Sequence, residues 1–167
     1  MPVRDIVTWP HTALKTPCPD VTTFDAALAA LVADLTDTLT AARGLGITAP
    51  HIGKTLRATV IRLEDMAAPL VLVNPKVTKA SDSLATHPEG SLSLPGLVED
   101  VTRPAEVTVS YQTLAGDPAE IHATGFLAAC LQHEIDQLDG FFWLDRLSRL
   151  KRERLLKRHQ KAARGKA

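Results

Sequence analysis

A polar cluster at residues 132–137, directly after the apolar residues 126–131, most constrains how this chain can fold. The combination predicts a helix that is buried along most of its length. On such a helix His133 and Gln137 lie one turn apart on the same face, and Glu134 lies beside them. This is the H-E-x-x-H arrangement of metal hydrolases with glutamine in place of the second histidine. In the intact motif two imidazoles hold a metal and the glutamate moves a proton.

The rest of the chain alternates between helical and extended patterns, which predicts one domain over residues 1–167. The prolines before Val21 predict an extended leader, and residues 87–96 are predicted to be a loop with a short extended part. The other predicted elements are a helix over 25–43, strands over 56–63 and 70–77 with a break at Asn74-Pro75, a hairpin of 107–111 with 119–123, the buried helix from about Gly125 to Leu138, and a basic helix from near Asp145.

Composition excludes several classes of protein. The 167 residues contain no apolar run long enough to cross a bilayer and no N-terminal secretory signal, so we expect a cytoplasmic protein without a membrane partner. Cys18 and Cys130 lie in different predicted elements, and their spacing is not typical of a disulfide framework or a metal finger.

The net charge of zero conceals a strongly basic C-terminal segment. Residues 146–167 hold ten of the 19 lysines and arginines but only one of the 19 acidic residues, Glu153. The segment therefore carries a charge of +9 and the remainder a charge of −9. Such a segment can bind the phosphates of a nucleic acid, or it can be a solvated helix that offsets an acidic body. The sequence leaves both interpretations open.

Three segments of the chain, in order and at matching spacing, resemble the motifs of peptide deformylases. The family motifs are G-x-G-x-A-A-x-Q, E-G-C-L-S and H-E-x-D-H. The corresponding segments are residues 44–51 (GLGITAPH), 89–93 (EGSLS) and 133–137 (HEIDQ). The resemblance covers nearly the whole chain. It implies an α+β fold in which antiparallel strands wrap around a central buried helix, with a basic helix at the C-terminus.

The resemblance also implies an activity. Members of the family remove the formyl group from the N-terminal methionine of new proteins, using iron or zinc held by a cysteine and two histidines. A metal-bound water attacks the formyl carbon, the third-motif glutamate moves the proton, and the first-motif glutamine and a backbone N–H stabilise the oxyanion. The family's C-terminal helix is thought to lie near the ribosomal exit, so residues 146–167 are a candidate for contact with ribosomal RNA phosphates.

The sequence departs from the family at three chemical positions. Ser91 stands at the cysteine ligand, Gln137 at the second histidine ligand, and His51 at the oxyanion glutamine. A neutral hydroxyl and an amide are poor ligands for metals that prefer thiolate and imidazole. We therefore expect no conventional metal and no other cofactor. Iron, zinc or nickel would bind only at a site rebuilt around His133.

The two family residues that remain also have structural interpretations. His133 can be a partly buried histidine that hydrogen-bonds to Gln137 or Ser91, because buried polar groups need partners. Glu134, in an apolar helix, either pairs with His133, His51 or an arginine, or keeps a raised pKa suited to acid-base chemistry.

The favoured function is binding in a groove that keeps the family's shape without its metal. The ligand would be a peptide N-terminus or a small acyl compound. Gly46 and Ile47 would offer backbone contacts, and Leu92, Leu131 and Ile135 would line an apolar pocket.

The alternative function is hydrolysis of formyl-methionyl peptides or related amides by a remodelled site. In one version Ser91 is the nucleophile, His133 or His51 is the base, and Glu134 orients the base. In a second version Glu134 acts on water without a metal. In a third, His51 and His133, with or without Glu134, hold a metal and deformylation survives.

Overall fold

Seven strands and three α-helices form residues 3–165, the part of the chain that the computed structural model describes. The helices are α1 (Ala26–Ala42), α2 (Gly125–Leu138) and α3 (Arg149–Gly165). The strands are β1 (Gly46–Thr48), β2 (Ala58–Ile61), β3 (Leu70–Ala80), β4 (Leu84–Ser91), β5 (Leu94–Pro104), β6 (Glu106–Gln112) and β7 (Pro118–Thr124).

A five-stranded antiparallel sheet in the order β1-β2-β3-β6-β7 separates the first two helices. Successive side chains of a strand point to opposite faces, so Val60 packs in the cluster around α1 and its neighbour Ile61 packs in the cluster around α2. The hydrophobic residues of α2 lie on the second face of the sheet. The α+β class and the central position of α2 are thus confirmed.

Strands β4 and β5 pair into a separate two-stranded sheet that the sequence pattern did not predict. The segment contains Pro88 and Pro95, which lack a backbone donor and normally argue against a strand. Both strands of a two-stranded sheet are edge strands, however, and a proline there can face away from the partner. The long hairpin replaces the predicted loop.

Strand β3 continues past the predicted break at Asn74-Pro75. The strand register shifts between Val73 and Lys76, and Asn74 adopts a left-handed backbone with φ of 54°. The Asn74 side chain holds this bulge because its amide accepts from the Val21 N–H at 2.7 Å and donates to the Gln112 side chain at 2.7 Å. The local irregularity therefore bends the strand without ending it.

Helix α3 begins at Arg149, later than predicted, because residues Trp143–Arg146 form a separate 3₁₀ turn. Leu155 is the buried residue of α3, and three of its cations contact carboxylates: Arg149 with Glu153, Lys151 with Glu99 and Arg152 with Asp145. Lys166 and Ala167, the end of the predicted basic segment, lie outside the described residues. None of the helices within residues 3–165 is long and apolar enough to cross a membrane.

Candidate functional site

A cavity of about 240 Å³ lies where β1, the end of β4 and α2 meet. The four predicted catalytic side chains, from three separate segments, all line it. The full lining is Leu45, Gly46, His51, Pro88, Glu89, Gly90, Ser91, Leu92, Phe126, Ala129, Cys130, His133 and Glu134.

The five residues predicted to bind a ligand divide into two groups. Gly46 and Leu92 line the cavity. The side chains of Ile47, Leu131 and Ile135 are buried in the hydrophobic core, with exposures of 0%, 0% and 5%. The expectation that Leu131 and Ile135 line the apolar pocket is therefore corrected, because both face the sheet. Ile47 was predicted only for backbone contacts, which its buried side chain does not affect.

His133 is held by an acidic residue that the sequence analysis did not single out. Its Nδ1 lies 2.7 Å from Oε1 of Glu89, so the predicted partners Gln137 and Ser91 are wrong. Burial alone would lower the pKa of His133, but the hydrogen bond to Glu89 and the nearby Glu134 carboxyl raise it. Because Nδ1 is hydrogen-bonded to Glu89, Nε2 is the ring nitrogen that can contact a ligand in the cavity.

Glu89 is in turn held by Arg103, a second residue that sequence reasoning missed. The guanidinium contacts both carboxylate oxygens, with Nε at 2.6 Å from Oε2 and Nη2 at 2.9 Å from Oε1. Burial alone would raise the pKa of Glu89, but hydrogen bonds from Arg103 and His133 lower it to about 2. Arg103 also donates to Asp136, which binds Arg146. A chain of charges, buried at Glu89 and Arg103, therefore fixes the position of the His133 ring.

Of the two glutamates that line the cavity, Glu89 is paired with an arginine and Glu134, within residues 3–165, is not. Oε2 of Glu134 is buried and has no hydrogen-bond partner among the described residues. The other side of the carboxyl group packs on Gly46, where an added Cβ would lie 2.7 Å from Oε1 of Glu134. Burial raises the pKa of Glu134 to about 7, against the opposing effect of His133. Of the two predicted possibilities, pairing or a raised pKa, the structure has the raised pKa.

His51 faces the cavity with its ring almost fully buried. Its Nδ1 accepts the backbone N–H of Thr48 at 2.9 Å, and its Nε2 lies 3.5 Å from Oγ of Ser91. Burial and the neighbouring His133 lower the pKa of His51 to about 3. A neutral ring whose Nδ1 accepts a hydrogen bond carries its proton on Nε2. This geometry argues against His51 as the base for Ser91, because Nε2 has no free lone pair.

Gln137, at the position of the family's second histidine ligand, does not line the cavity. Gln137 is 2% exposed, and its Nε2 donates to the Leu14 carbonyl of the leader at 2.8 Å. Its amide therefore ties α2 to the leader. Within residues 3–165 no group of three or more His, Cys, Asp or Glu side chains has an arrangement that could hold a metal. A hydroxyl at Ser91 and a diverted amide at Gln137 do not fit the family's iron or zinc.

The leader also contacts the backbone within or directly beside each motif segment. The N–H of Val7 donates to the His51 carbonyl, that of Trp9 to the Ser93 carbonyl, and that of Cys18 to the Leu138 carbonyl, each at 2.8 Å. Residues 7–18 therefore connect the three segments that form the cavity.

Comparison with known proteins agrees with this architecture. The model of the polypeptide deformylase family matches residues 3–153. A peptide deformylase-like protein of Agrobacterium fabrum is 48% identical over 97% of this chain and 98% of its own length. A second protein of the same strain, a peptide deformylase, is 38% identical over 99% of each chain.

Solved structures extend the likeness to the whole fold. The crystal structure of a peptide deformylase from Legionella pneumophila has a TM-score of 0.92 and 38% identity, covering 99% of this chain and 98% of that one. A peptide deformylase from Ehrlichia chaffeensis in complex with actinonin has a TM-score of 0.90 and 34% identity, covering 97% and 98%. The family model matches most of the chain, and the solved structures share its fold, so the chain belongs to the polypeptide deformylase family.

Proposed function

We propose that this chain binds a peptide N-terminus or a small acyl compound in the cavity without the family's conventional metal centre. One observation carries the proposal: the cavity is formed and keeps His133 and Glu134, while Gln137 is turned away to the leader. The protein would keep the groove of a deformylase and lack its metal chemistry.

The strands beside the cavity support a peptide ligand. Strand β1 is at the edge of its sheet, and within the described residues β4 pairs with β5 alone. Each strand therefore has one side that pairs with no other strand of residues 3–165, and an extended chain can bind along such an edge. Leu45 and Phe126 line the cavity and are 43% and 39% exposed, so they can contact an apolar side chain of the ligand.

The relatives give two further supports. The Ehrlichia deformylase binds actinonin in a fold of this type. Agrobacterium fabrum has a peptide deformylase-like protein beside a peptide deformylase, which shows that the two kinds of protein occur together in one strain. A second copy of this kind is free to take a role other than deformylation.

A second candidate function is metal-free hydrolysis of an acyl amide, and one observation favours it. Glu134 lines the cavity, lacks a hydrogen-bond partner and has a pKa of about 7, which suits a group that moves a proton. The version with Ser91 as nucleophile and His51 as base lacks an acceptor for the Ser91 proton.

Contact of the basic C-terminal segment with ribosomal RNA stays a prediction. Arg154, Lys157, Arg158, Lys161 and Arg164 are exposed on α3, which supports binding to phosphates. The solvated helix remains the alternative interpretation.

Titration calorimetry with a formyl-methionyl tripeptide tests the proposed function. We expect binding whose Kd is unchanged within about twofold when a chelator is added, without release of formate. Binding that disappears with chelator would contradict the metal-free groove, and the absence of any binding would contradict the groove itself. Formate release that persists in chelator would establish the second candidate.

A matched pair of glycine variants locates the binding. Gly46→Ala places a Cβ against Glu134 and should abolish binding, because the carboxyl group must shift within the cavity. Gly165→Ala, where an added Cβ has nothing within 4 Å, is the control and should bind as the wild type does. Equal binding by both variants would show that the ligand sits elsewhere.

A further inference from the structure

A second cavity, of about 540 Å³, lies on the other side of helix α2 from the first. Cys130 and His133 of this helix line the first cavity, whereas Gln132 and Ile135 line the second. Successive residues of a helix are rotated by about 100°, so these two pairs face nearly opposite directions. Pockets for small molecules have volumes of roughly 300–1,000 Å³. The second cavity is therefore large enough for a ligand of its own.

Four cations from four segments of the chain line the second cavity. They are Arg57 directly before β2, Lys76 on β3, Arg103 on β5 and Arg146 at the end of the 3₁₀ turn. Arg57 and Arg103 are 6% and 4% exposed, a depth at which arginine is rare. The second cavity therefore combines two buried guanidinium groups with two partly exposed cations.

Three aspartates also line the second cavity, and each is already paired with one or more of these cations. The pairs are Lys76 with Asp20 at 3.2 Å, Arg57 with Asp139 at 2.6 Å, and both Arg103 and Arg146 with Asp136 at 2.8 Å. Four cations against three carboxylates give the lining a charge of +1. Glu89 also contacts Arg103, but it lines the first cavity and is shared with His133. The charge of the lining therefore favours an anion over a cation.

The buried guanidinium groups have more donors than their protein partners use. A guanidinium group has five N–H donors. Arg57 makes three hydrogen bonds, two to the Pro75 carbonyl and one to Asp139, and Arg103 makes three to carboxylates. Each group therefore keeps two N–H donors beyond its bonds within residues 3–165. Buried donors without acceptors are costly, so a ligand with several acceptor atoms would be stabilised here.

We propose that the second cavity binds a phosphate group, as a free inorganic ion or as part of a small molecule. The oxygens of a phosphate point in tetrahedral directions, so they accept hydrogen bonds from cations on several segments of the chain. A single carboxylate accepts a bidentate bond in one plane and satisfies mainly one arginine. Arg57 and Arg103 supply the buried N–H donors, and Lys76 supplies a point charge. This site is independent of the cavity to which the proposed function assigns its ligand.

Titration calorimetry of the full chain with inorganic phosphate at low ionic strength tests this site. We expect one site with a Kd below about 1 mM, and binding of acetate that is at least about fivefold weaker. The absence of saturable binding up to about 10 mM phosphate would overturn the proposal. Acetate that binds as tightly as phosphate would overturn the choice of a tetrahedral anion.

Phenyl phosphate distinguishes a phosphorylated molecule from the free ion. Val77 and Pro104 also line the second cavity and offer apolar surface to a ring. Tighter binding of phenyl phosphate than of inorganic phosphate would support a phosphorylated small molecule. Weaker binding would support the free ion.

Lys76→Met and Lys79→Met form a matched pair for locating the anion. Both lysines are exposed on β3, but of the two only Lys76 lines the second cavity. We expect Lys76→Met to weaken phosphate binding by about threefold or more, as expected for the loss of one nearby charge, and Lys79→Met to leave it unchanged. Equal effects of the two variants would overturn the assignment of the anion to this cavity.

Two variants of Arg57 test the buried donors. Arg57→Met should weaken phosphate binding by about 10-fold or more, and Arg57→Lys should restore only part of it, because lysine keeps the charge without the planar set of donors. Binding as in the wild type by Arg57→Met would overturn the proposal. Thermal unfolding checks that both variants are folded, and the lysine pair decides the question if Arg57→Met is not.

The basic helix α3 is the competing surface for an anion. Lys157 and Lys161 are exposed on α3 and do not line the second cavity. We expect the double variant Lys157→Met with Lys161→Met to bind phosphate as the wild type does. Loss of binding in this variant, with wild-type binding in Lys76→Met, would place the anion on α3 and overturn the proposal.

Discussion

Arg103→Met should lower the free energy of unfolding by about 3–5 kcal/mol, because it removes the guanidinium that contacts both oxygens of the buried Glu89 carboxylate and leaves only His133 beside it. The Arg103 and Glu89 side chains are 4% and 6% exposed and joined by two hydrogen bonds. Removing both charges of such a pair is often tolerated. Removing only one charge leaves the remaining charge buried and unpaired. Urea denaturation monitored by circular dichroism measures the change.

Two comparisons make this prediction specific to the buried pair. Arg149→Met removes an arginine whose side chain is 93% exposed and should cost less than about 0.5 kcal/mol. Adding Glu89→Gln to Arg103→Met removes the stranded charge and keeps an amide oxygen for His133, so it should recover more than about 1 kcal/mol. A cost below about 1 kcal/mol for Arg103→Met alone would show that Glu89 does not depend on this arginine.

Glu134→Gln should stabilise the protein progressively as pH rises from 4.5 to 8. The pKa of Glu134 is raised from 4.5 to about 7, so the folded chain binds more protons than the unfolded chain between these values. Wild-type stability therefore falls as pH rises through this range, and a neutral amide avoids the loss. The shift corresponds to a difference of about 3 kcal/mol in favour of the variant at pH 8 relative to pH 4.5.

Chemical denaturation at pH 4.5, 6 and 8 checks this dependence. Glu120→Gln is the control, because the Glu120 side chain is exposed and stays in water in both states. A difference between Glu134→Gln and wild type that does not change with pH would be inconsistent with a buried, unpartnered carboxyl group. A metal cation beside Glu134 would also produce that result, because it would favour the carboxylate form.

Local patterns were sufficient to predict much of the fold. Helix α2 has the predicted bounds because an apolar run with helical spacing ends at Gly140, whose φ is 81°. The hairpin of β4 and β5 was missed because its prolines oppose a strand in general, and only the two-stranded topology makes them tolerable. Long-range pairing decides such cases, and one sequence does not display it.

The residues that line the candidate site were predicted better than the contacts that those residues make. His51, Ser91, His133 and Glu134 all line one cavity, as spacing and resemblance suggested. Arg103 was not anticipated, because it lies on a strand that the pattern did not indicate. The sequence does contain a signal for such a residue. A buried glutamate requires a cation, and no lysine or arginine lies close to Glu89 in the sequence, so a more distant cation is needed.

The tautomer of His51 depends on a short-range contact that the sequence does contain. Thr48 precedes His51 by three residues at the start of a 3₁₀ turn, a spacing at which a side chain reaches back to the backbone N–H. The direction of Gln137 had no such signal. Its partner, the Leu14 carbonyl, is 123 residues away along the chain.

Metal content is the most direct test of a deformylase fold without the conventional metal. Elemental analysis of protein purified anaerobically and without chelator should find well below one iron, zinc or nickel ion per chain. The double variant Ser91→Cys with Gln137→His, purified in parallel, should contain more metal because it regains thiolate and imidazole ligands. Close to one metal ion per wild-type chain, lost in His133→Ala, would contradict the metal-free site.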